Sequence, residues 1–300
     1  MSIALFTMLK RLRRYRMKDL KKWPRVFATP CTSVIILICF LIFLISCETV
    51  PITGRQRLSI IPESDLLPLS LQQYSEVLKK SQVSHDPGKV MMVKNAGNKI
   101  ARASEAFLRE SGRGQAVNDY KWEFNVINDD KVVNAWCMPG GKVAVYTGIF
   151  PITRDETGMA VVLSHEIAHA IAGHGSERMS EALVAQLGGA ALSTALQTHP
   201  GTTSAIFMQV YGVGASVGYL LPHSRLQESE ADRIGLMLMA RAGYNPEKAV
   251  DLWVRMSQQG KGSRPPEFLS THPAPETRIA EIKTCIPEAM SYYQGPRQTK

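Results

Sequence analysis

Apolar residues recur at helical spacing through most of residues 66–290, broken by one region in which they alternate. In 153–172, Met159, Val162, Leu163, Ile167, Ala170 and Ile171 hold a helical period as far as Gly173, and Thr153 with Glu156 reads as a capping box. The stretch 226–242 does the same with Ile234, Leu236, Met237, Leu238, Met239 and Ala240 before Gly243, and Asn245-Pro246 opens a helix over 246–258. Further helices are predicted over 66–80, 87–111, 177–197, 204–221 and 275–284. Alternation predicts strands over 120–127, 132–138 and 142–147, the last two joined by a Pro139-Gly140-Gly141 turn. The expected fold is α+β, mainly helical: one domain over 66–290 with a small β-sheet, a linker at 47–65 before it and a tail at 291–300 after it. Residues 205–221 carry no charge but hold Gly212, Gly214 and Gly218 and fall short of the roughly 20 residues of a membrane span, so they read as a buried or membrane-touching helical hairpin.

The first of these helices carries chemistry. His165 and His169 are separated by one helical turn and share a face, so both imidazoles can aim at one metal ion, with Glu166 beside its open position. Three residues are candidates for a third protein ligand: His174, Glu228 and His272. His174 lies about 140° around the helix from His169 and points away unless the helix breaks at Gly173, which suggests a supporting role. Ala172 and Gly175 stand where a metzincin needs Gly and His. Glu228 is better placed, because Asp232 follows one turn later and can accept a hydrogen bond from the second nitrogen of a metal-bound histidine. Glu230 falls on the opposite face.

These residues, with Thr49-Val50-Pro51-Ile52-Thr53-Gly54-Arg55 upstream and His272-Pro273 and Arg278 downstream, resemble the zinc metallopeptidase family of the HtpX and CAAX prenyl proteases. The likeness is to the branch of periplasmic lipoproteins related to BepA and to the mitochondrial overlapping-activity peptidase. It implies a zincin-like domain and one zinc ion, with Glu228 as third ligand beside His165 and His169. Asn134-Ala135-Trp136-Cys137-Met138-Pro139-Gly140-Gly141 resembles the family's edge strand, so Asn134 and Ala135 are expected to bind an extended peptide through main-chain hydrogen bonds; the same residues also read as a plain hairpin. By the same resemblance His272 and Arg278 belong to the active site, with His272 either steadying the oxyanion or capping the zinc as a removable fourth ligand. Glu166 is then the general base that takes a proton from water and returns it to the leaving amine.

Residues 1–46 alter the charge balance. Lys10, Arg11, Arg13, Arg14, Arg16, Lys18, Lys21, Lys22 and Arg25 against Asp19 give them +8, leaving only +1 of the chain's +9 for the remainder. No basic and aromatic recognition pattern accompanies that near-neutral remainder, which argues against a nucleic-acid partner. The basic run precedes apolar residues 34–45 and Leu44-Ile45-Ser46-Cys47, which reads as a lipoprotein signal peptide over 1–46 with Cys47 as the lipidated residue; an inner-membrane signal anchor is the alternative. Glu48, rather than Asp, after Cys47 favours the outer membrane. Of five cysteines, Cys137 and Cys285 then remain in an oxidising compartment, with nothing in the sequence to pair them. The expected protein is an envelope zinc endopeptidase facing the periplasm and acting on unfolded or misassembled envelope polypeptides. A chaperone or assembly lipoprotein with a mostly latent zinc site is the second expectation. Since no helical repeat follows Pro287, a bare protease domain is favoured.

Overall fold

A computed structural model describes residues 47–187, 192–211, 213, 224–259, 267–272 and 277–295. The expected signal segment 1–46, most of the second half of the apolar stretch 205–221, Pro273 and tail residues 296–300 lie outside the described residues.

The expected α+β, mainly helical architecture is the one found. A hairpin of β1 (Cys47–Thr49) and β2 (Gln56–Leu58) leads into helix α1 (Glu63–Lys80) and helix α2 (Pro87–Glu110). Strands β3 (Glu123–Ile127), β4 (Ala135–Met138) and β5 (Lys142–Tyr146) form a sheet in the order β3-β5-β4, with β3 parallel and β4 antiparallel to the central β5. After a single turn at Phe150–Thr153 come α3 (Glu156–Ala172), α4 (His174–Leu187), α5 (Leu192–Thr198) and α6 (Pro200–Val210). The chain ends with α7 (Arg225–Arg241), α8 (Lys248–Gln259), α9 (Glu267–Thr271) and α10 (Arg278–Met290).

The sheet separates two cores. Alternate side chains Ala135, Cys137, Val143 and Val145 join α2, α3, α7 and α8 on one face, whereas Trp136, Met138 and Ala144 join α1, α4 and α6 on the other. Both faces of β4 are therefore covered, while its outer edge has no strand partner among the described residues. Helix α3 runs through the first core with every residue from Gly158 to Ala172 buried, because α2, α7, α8 and β4 surround it. That enclosure explains why its sequence is apolar nearly all round rather than along one stripe. Helix α7 approaches it through Gly235, where an added Cβ would lie 3.1 Å from the Ser164 carbonyl oxygen and 3.2 Å from the His165 nitrogen.

Several ends differ from expectation for local reasons. Helix α3 starts after Asp155, whose carboxylate accepts from the Gly158 N–H at 2.7 Å, and not at Thr153. Ser224 and Gln227 form the capping box of α7, which therefore starts at Arg225. The predicted helix 177–197 corresponds to α4, which begins earlier at His174, and to α5, with residues 188–191 outside the described residues. Residues 47–65, expected as a linker, include the β1–β2 hairpin, and its Arg57 donates to the Gly173 carbonyl at 2.9 Å and to Ser176 Oγ at 2.6 Å. Gly173 sits at φ 69°, in the left-handed region, and ends α3 so that α4 restarts at once with His174. Replacing Gly173 with Ala strains the backbone and drives a Cβ into the Arg57 guanidinium. Gly173→Ala is expected to lower stability by about 2 kcal/mol in urea unfolding; a change under about 0.5 kcal/mol would contradict this account of the break.

Candidate active site

Four side chains from three elements converge where α3 meets α7. His165 and His169 project from successive turns of α3, Glu228 lies in the first turn of α7, and His272 follows α9, its backbone N–H bonded to the Phe268 carbonyl at 2.8 Å. One donor atom from each lies within 4.8 Å of all the others, and all four residues are buried. His165 Nε2 is 3.1 Å from His169 Nε2 and 3.2 Å from His272 Nδ1. Glu228 Oε1 is 2.9 Å from His272 Nδ1 and 3.3 Å from His169 Nε2. A tetrahedral ion with ligands at about 2.0–2.1 Å requires donor separations of about 3.3 Å. The donor set therefore fits zinc in both chemistry and spacing.

The rings are held from behind. His165 Nδ1 lies 3.0 Å from Asp232 Oδ1, which leaves Nε2 facing the other donors. Arg278 clamps Asp232 with Nε and Nη2, both at 2.8 Å, and reaches Glu228 Oε2 with Nη1 at 2.7 Å. Its guanidinium lies 3.5 Å from the ring centre of Trp253 on α8, which also packs edge-on against His165. On the far side of His169, His174 Nδ1 lies 2.8 Å from His169 Nδ1, and His174 Nε2 lies 3.2 Å from Glu230 Oε2.

Charge follows from these contacts. Burial pushes the Glu228 carboxyl up, but the surrounding His272, Arg278, His165 and His169 outweigh it and hold it well below the usual carboxylate range. Asp232 is likewise held down against burial, chiefly by Arg278. Burial disfavours the His165 imidazolium, yet hydrogen bonds to Asp232 and Glu228 prevail and raise its pKa to about 9. The surplus proton is the one a metal displaces. Burial holds His169 well below the ordinary imidazole value.

Glu166 is different. Burial raises its pKa, and its Oε1 has no hydrogen-bond partner among the described residues although it lies 3.5 Å from His272 Nε2. It lines a narrow cleft with Asn134, Ala135, Cys137, His169 and His272. The β4 edge borders this cleft. The Tyr146 N–H donates to the Asn134 carbonyl at 3.0 Å, so by alternation Trp136 and Met138 also face β5, while the main chains of Ala135 and Cys137 face outward. The outward Ala135 N–H is met by Asn134 Oδ1 at 2.9 Å.

Comparison with known proteins decides the family. Residues 95–286 match the model of peptidase family M48. The mitochondrial metalloendopeptidase OMA1 of Saccharomyces cerevisiae is 32% identical over 266 residues, covering 85% of this chain and 74% of that protein. The same-named protein of Schizosaccharomyces pombe is 34% identical over 251 residues, 81% of this chain and 67% of that protein. A putative beta-barrel assembly-enhancing protease of Vibrio cholerae is 28% identical over 219 residues, 70% of this chain and 42% of that protein. The chain belongs to peptidase family M48. As an M48 peptidase with a His-His-Glu-His donor group it is a zinc metalloendopeptidase.

Most of the site residues expected from sequence meet in this M48 centre: His165, Glu166, His169, Glu228, Asp232 and His272. Asn134 and Ala135 lie at the same cleft. Arg278, expected at the active site, lies behind the donor group, where two buried carboxylates claim its guanidinium. His174 does not point away, because the break at Gly173 turns it back onto His169. Glu230 lies off the metal face as expected but is buried and takes up His174. Trp253 carried no signal beyond helical spacing with Ala249, Leu252 and Met256. Cys137 and Cys285 are both free thiols. Removing the guanidinium strands two buried carboxylates, so Arg278→Leu is expected to cost the zinc-free chain about 3–5 kcal/mol in urea unfolding; a loss below about 1 kcal/mol would show that the clamp is not needed.

Proposed function

We propose that this endopeptidase cleaves unfolded or misassembled envelope polypeptides at a zinc held by His165, His169 and Glu228, with Glu166 as general base and His272 as a reversible fourth ligand. The observation that carries this reading is the buried Glu166 carboxyl, whose Oε1 has no hydrogen-bond partner among the described residues, beside the donor set in a cleft bordered by a strand edge with no partner among the described residues. Bound zinc supplies Lewis acidity, which acidifies a water molecule and polarises the scissile carbonyl. Glu166 takes the proton from that water and passes it to the leaving amine. Asp232 keeps His165 in the tautomer that leaves Nε2 bare, and Arg278 holds Glu228 and Asp232 in place. An extended substrate pairs with the outward main chain of β4, its carbonyl replacing Asn134 Oδ1 at the Ala135 N–H, which gives binding without a required sequence.

His272 supports latency. Its Nδ1 sits within the donor set at distances expected of a fourth ligand, and a fourth protein ligand closes the position that water needs. In an envelope crowded with unfolded chains, such a cap restrains the protease until a substrate displaces it. The same observation favours the second reading, in which the protein chiefly holds or assembles its clients with the zinc silent. A casein-like unfolded substrate separates the two. His272→Ala is expected to cut it faster than the wild type, and Glu166→Gln to keep its zinc and cut nothing. Slower cutting by His272→Ala would reject latency and leave the oxyanion role. No cutting by either the wild type or His272→Ala would favour the chaperone reading.

The place of action is part of the proposal. Leu44-Ile45-Ser46-Cys47 with Glu48 supports a chain lipidated at Cys47 on the outer membrane and facing the periplasm. The Vibrio cholerae relative, named for beta-barrel assembly, supports an envelope setting, whereas the more similar yeast relatives are named as mitochondrial. No helix among the described residues is long and apolar enough to cross a membrane. Mass spectrometry of the mature amino terminus is expected to find lipid on Cys47; an unmodified chain that begins upstream of Val34 would sink the lipoprotein reading.

A further inference from the structure

The zinc chemistry leaves one buried network unexplained, which ties the β1–β2 hairpin to the far side of His169. In the turn between β1 and β2, Thr53 Oγ1 donates to Glu230 Oε1 at 2.5 Å and Arg55 Nε donates to Glu230 Oε2 at 2.7 Å. The Arg55 fork also grips Glu177 of α4 through both terminal nitrogens, at 2.6 and 2.8 Å. Glu177 in turn accepts from Gln227, the neighbour of Glu228, at 2.8 Å. Two cores' worth of helices could be packed without any of these ionic groups. The Glu230 branch ends on His174, which is fully buried.

We propose that Arg55, Glu230 and His174 are positioning residues that fix the tautomer of His169 and so set the affinity for zinc. The inference rests on His169 being a zinc ligand. Glu230, held by Arg55 and Thr53, is an acceptor at both oxygens. His174 Nε2, 3.2 Å from Glu230 Oε2, must then be the donor. A neutral imidazole has one N–H, so His174 Nδ1 carries a lone pair, and His169 Nδ1 at 2.8 Å must donate to it. His169 Nε2 is thereby left bare, 3.1 Å from His165 Nε2 and 3.3 Å from Glu228 Oε1, among the other donors. The direction of every bond in the chain from Arg55 to His169 is set at its Arg55 end. Asp232 does the same for His165 through one bond; the hairpin does it for His169 through three.

Two measurements on the full chain test this. In the zinc-free wild type with 15N-labelled histidine, NMR is expected to find His169 protonated at Nδ1 and bare at Nε2. In chelator competition, Arg55→Met and Glu230→Gln are expected to weaken zinc binding by about 10–100-fold, the usual cost of losing a partner behind a ligand. Arg55→Lys should recover part of that loss, since a point charge still holds one carboxylate. A purely structural hairpin would lower the unfolding midpoint of these variants and leave zinc affinity alone. His169 protonated at Nε2, or zinc affinity within twofold of wild type in both variants, would overturn the proposal. Should either variant fail to fold, Thr53→Val removes one donor to Glu230 at smaller cost, and the wild-type spectrum still decides. His169→Ala separates the two levels: zinc retained at wild-type affinity would sink the ligand assignment itself, whereas zinc lost there but kept by the Arg55 and Glu230 variants would sink the relay alone.

Discussion

Burying charge between α3 and α7 is the constraint on which the rest of this structure depends. His165, His169, Glu166, Glu228, Asp232, His272 and Arg278 are all buried beside a core of apolar side chains. An isolated ion there would cost several kcal/mol, so each must be paired, neutralised or coordinated. Arg278 answers for two carboxylates at once, and Trp253 covers its outer face. Of these seven, only Glu166 keeps a buried side-chain oxygen for which the described residues offer no hydrogen-bond partner, and it faces the cleft. The unpaired group coincides with the position that the proposed proton transfer requires.

The close approach of the two helices follows from the same constraint. Gly235 lets α7 come near the α3 backbone at His165, and Gly173 lets α3 stop one turn past His169 so that α4 can turn His174 back. Both are backbone devices that put side chains within bonding range. They also explain why an M48 peptidase invests residues before its first long helix in the zinc site: Arg57 holds the Gly173 break, and Arg55 reaches the carboxylates beside it.

How much of this could be read from the sequence depended on range. The i, i+4 spacing of His165 and His169, and of Glu228 and Asp232, is local geometry and survived folding unchanged. The α+β class and the three strands came from periodicity, and the order β3-β5-β4 then put Ala135 and Cys137 at an open edge. What was not legible was set by distant partners. Nothing near His174 in sequence reveals Glu230, 56 positions away, and nothing near Arg55 reveals Glu177. Arg278 was expected at the active site by resemblance alone, which left its partners open. Its true neighbours, Asp232 and Trp253, come from other helices. The start of α3 was misplaced because Thr153 and Glu156 match a capping box, whereas the cap is Asp155, whose carboxylate reaches the Gly158 N–H.

The central claim is that zinc sits among His165, His169, Glu228 and His272, and zinc-edge X-ray absorption of the resting full chain tests it most directly. The account predicts four nitrogen and oxygen neighbours at about 2.0–2.1 Å, with the outer scattering of three imidazoles. A sulfur neighbour at about 2.3 Å, which would bring Cys137 of the same cleft into the coordination sphere, would contradict it.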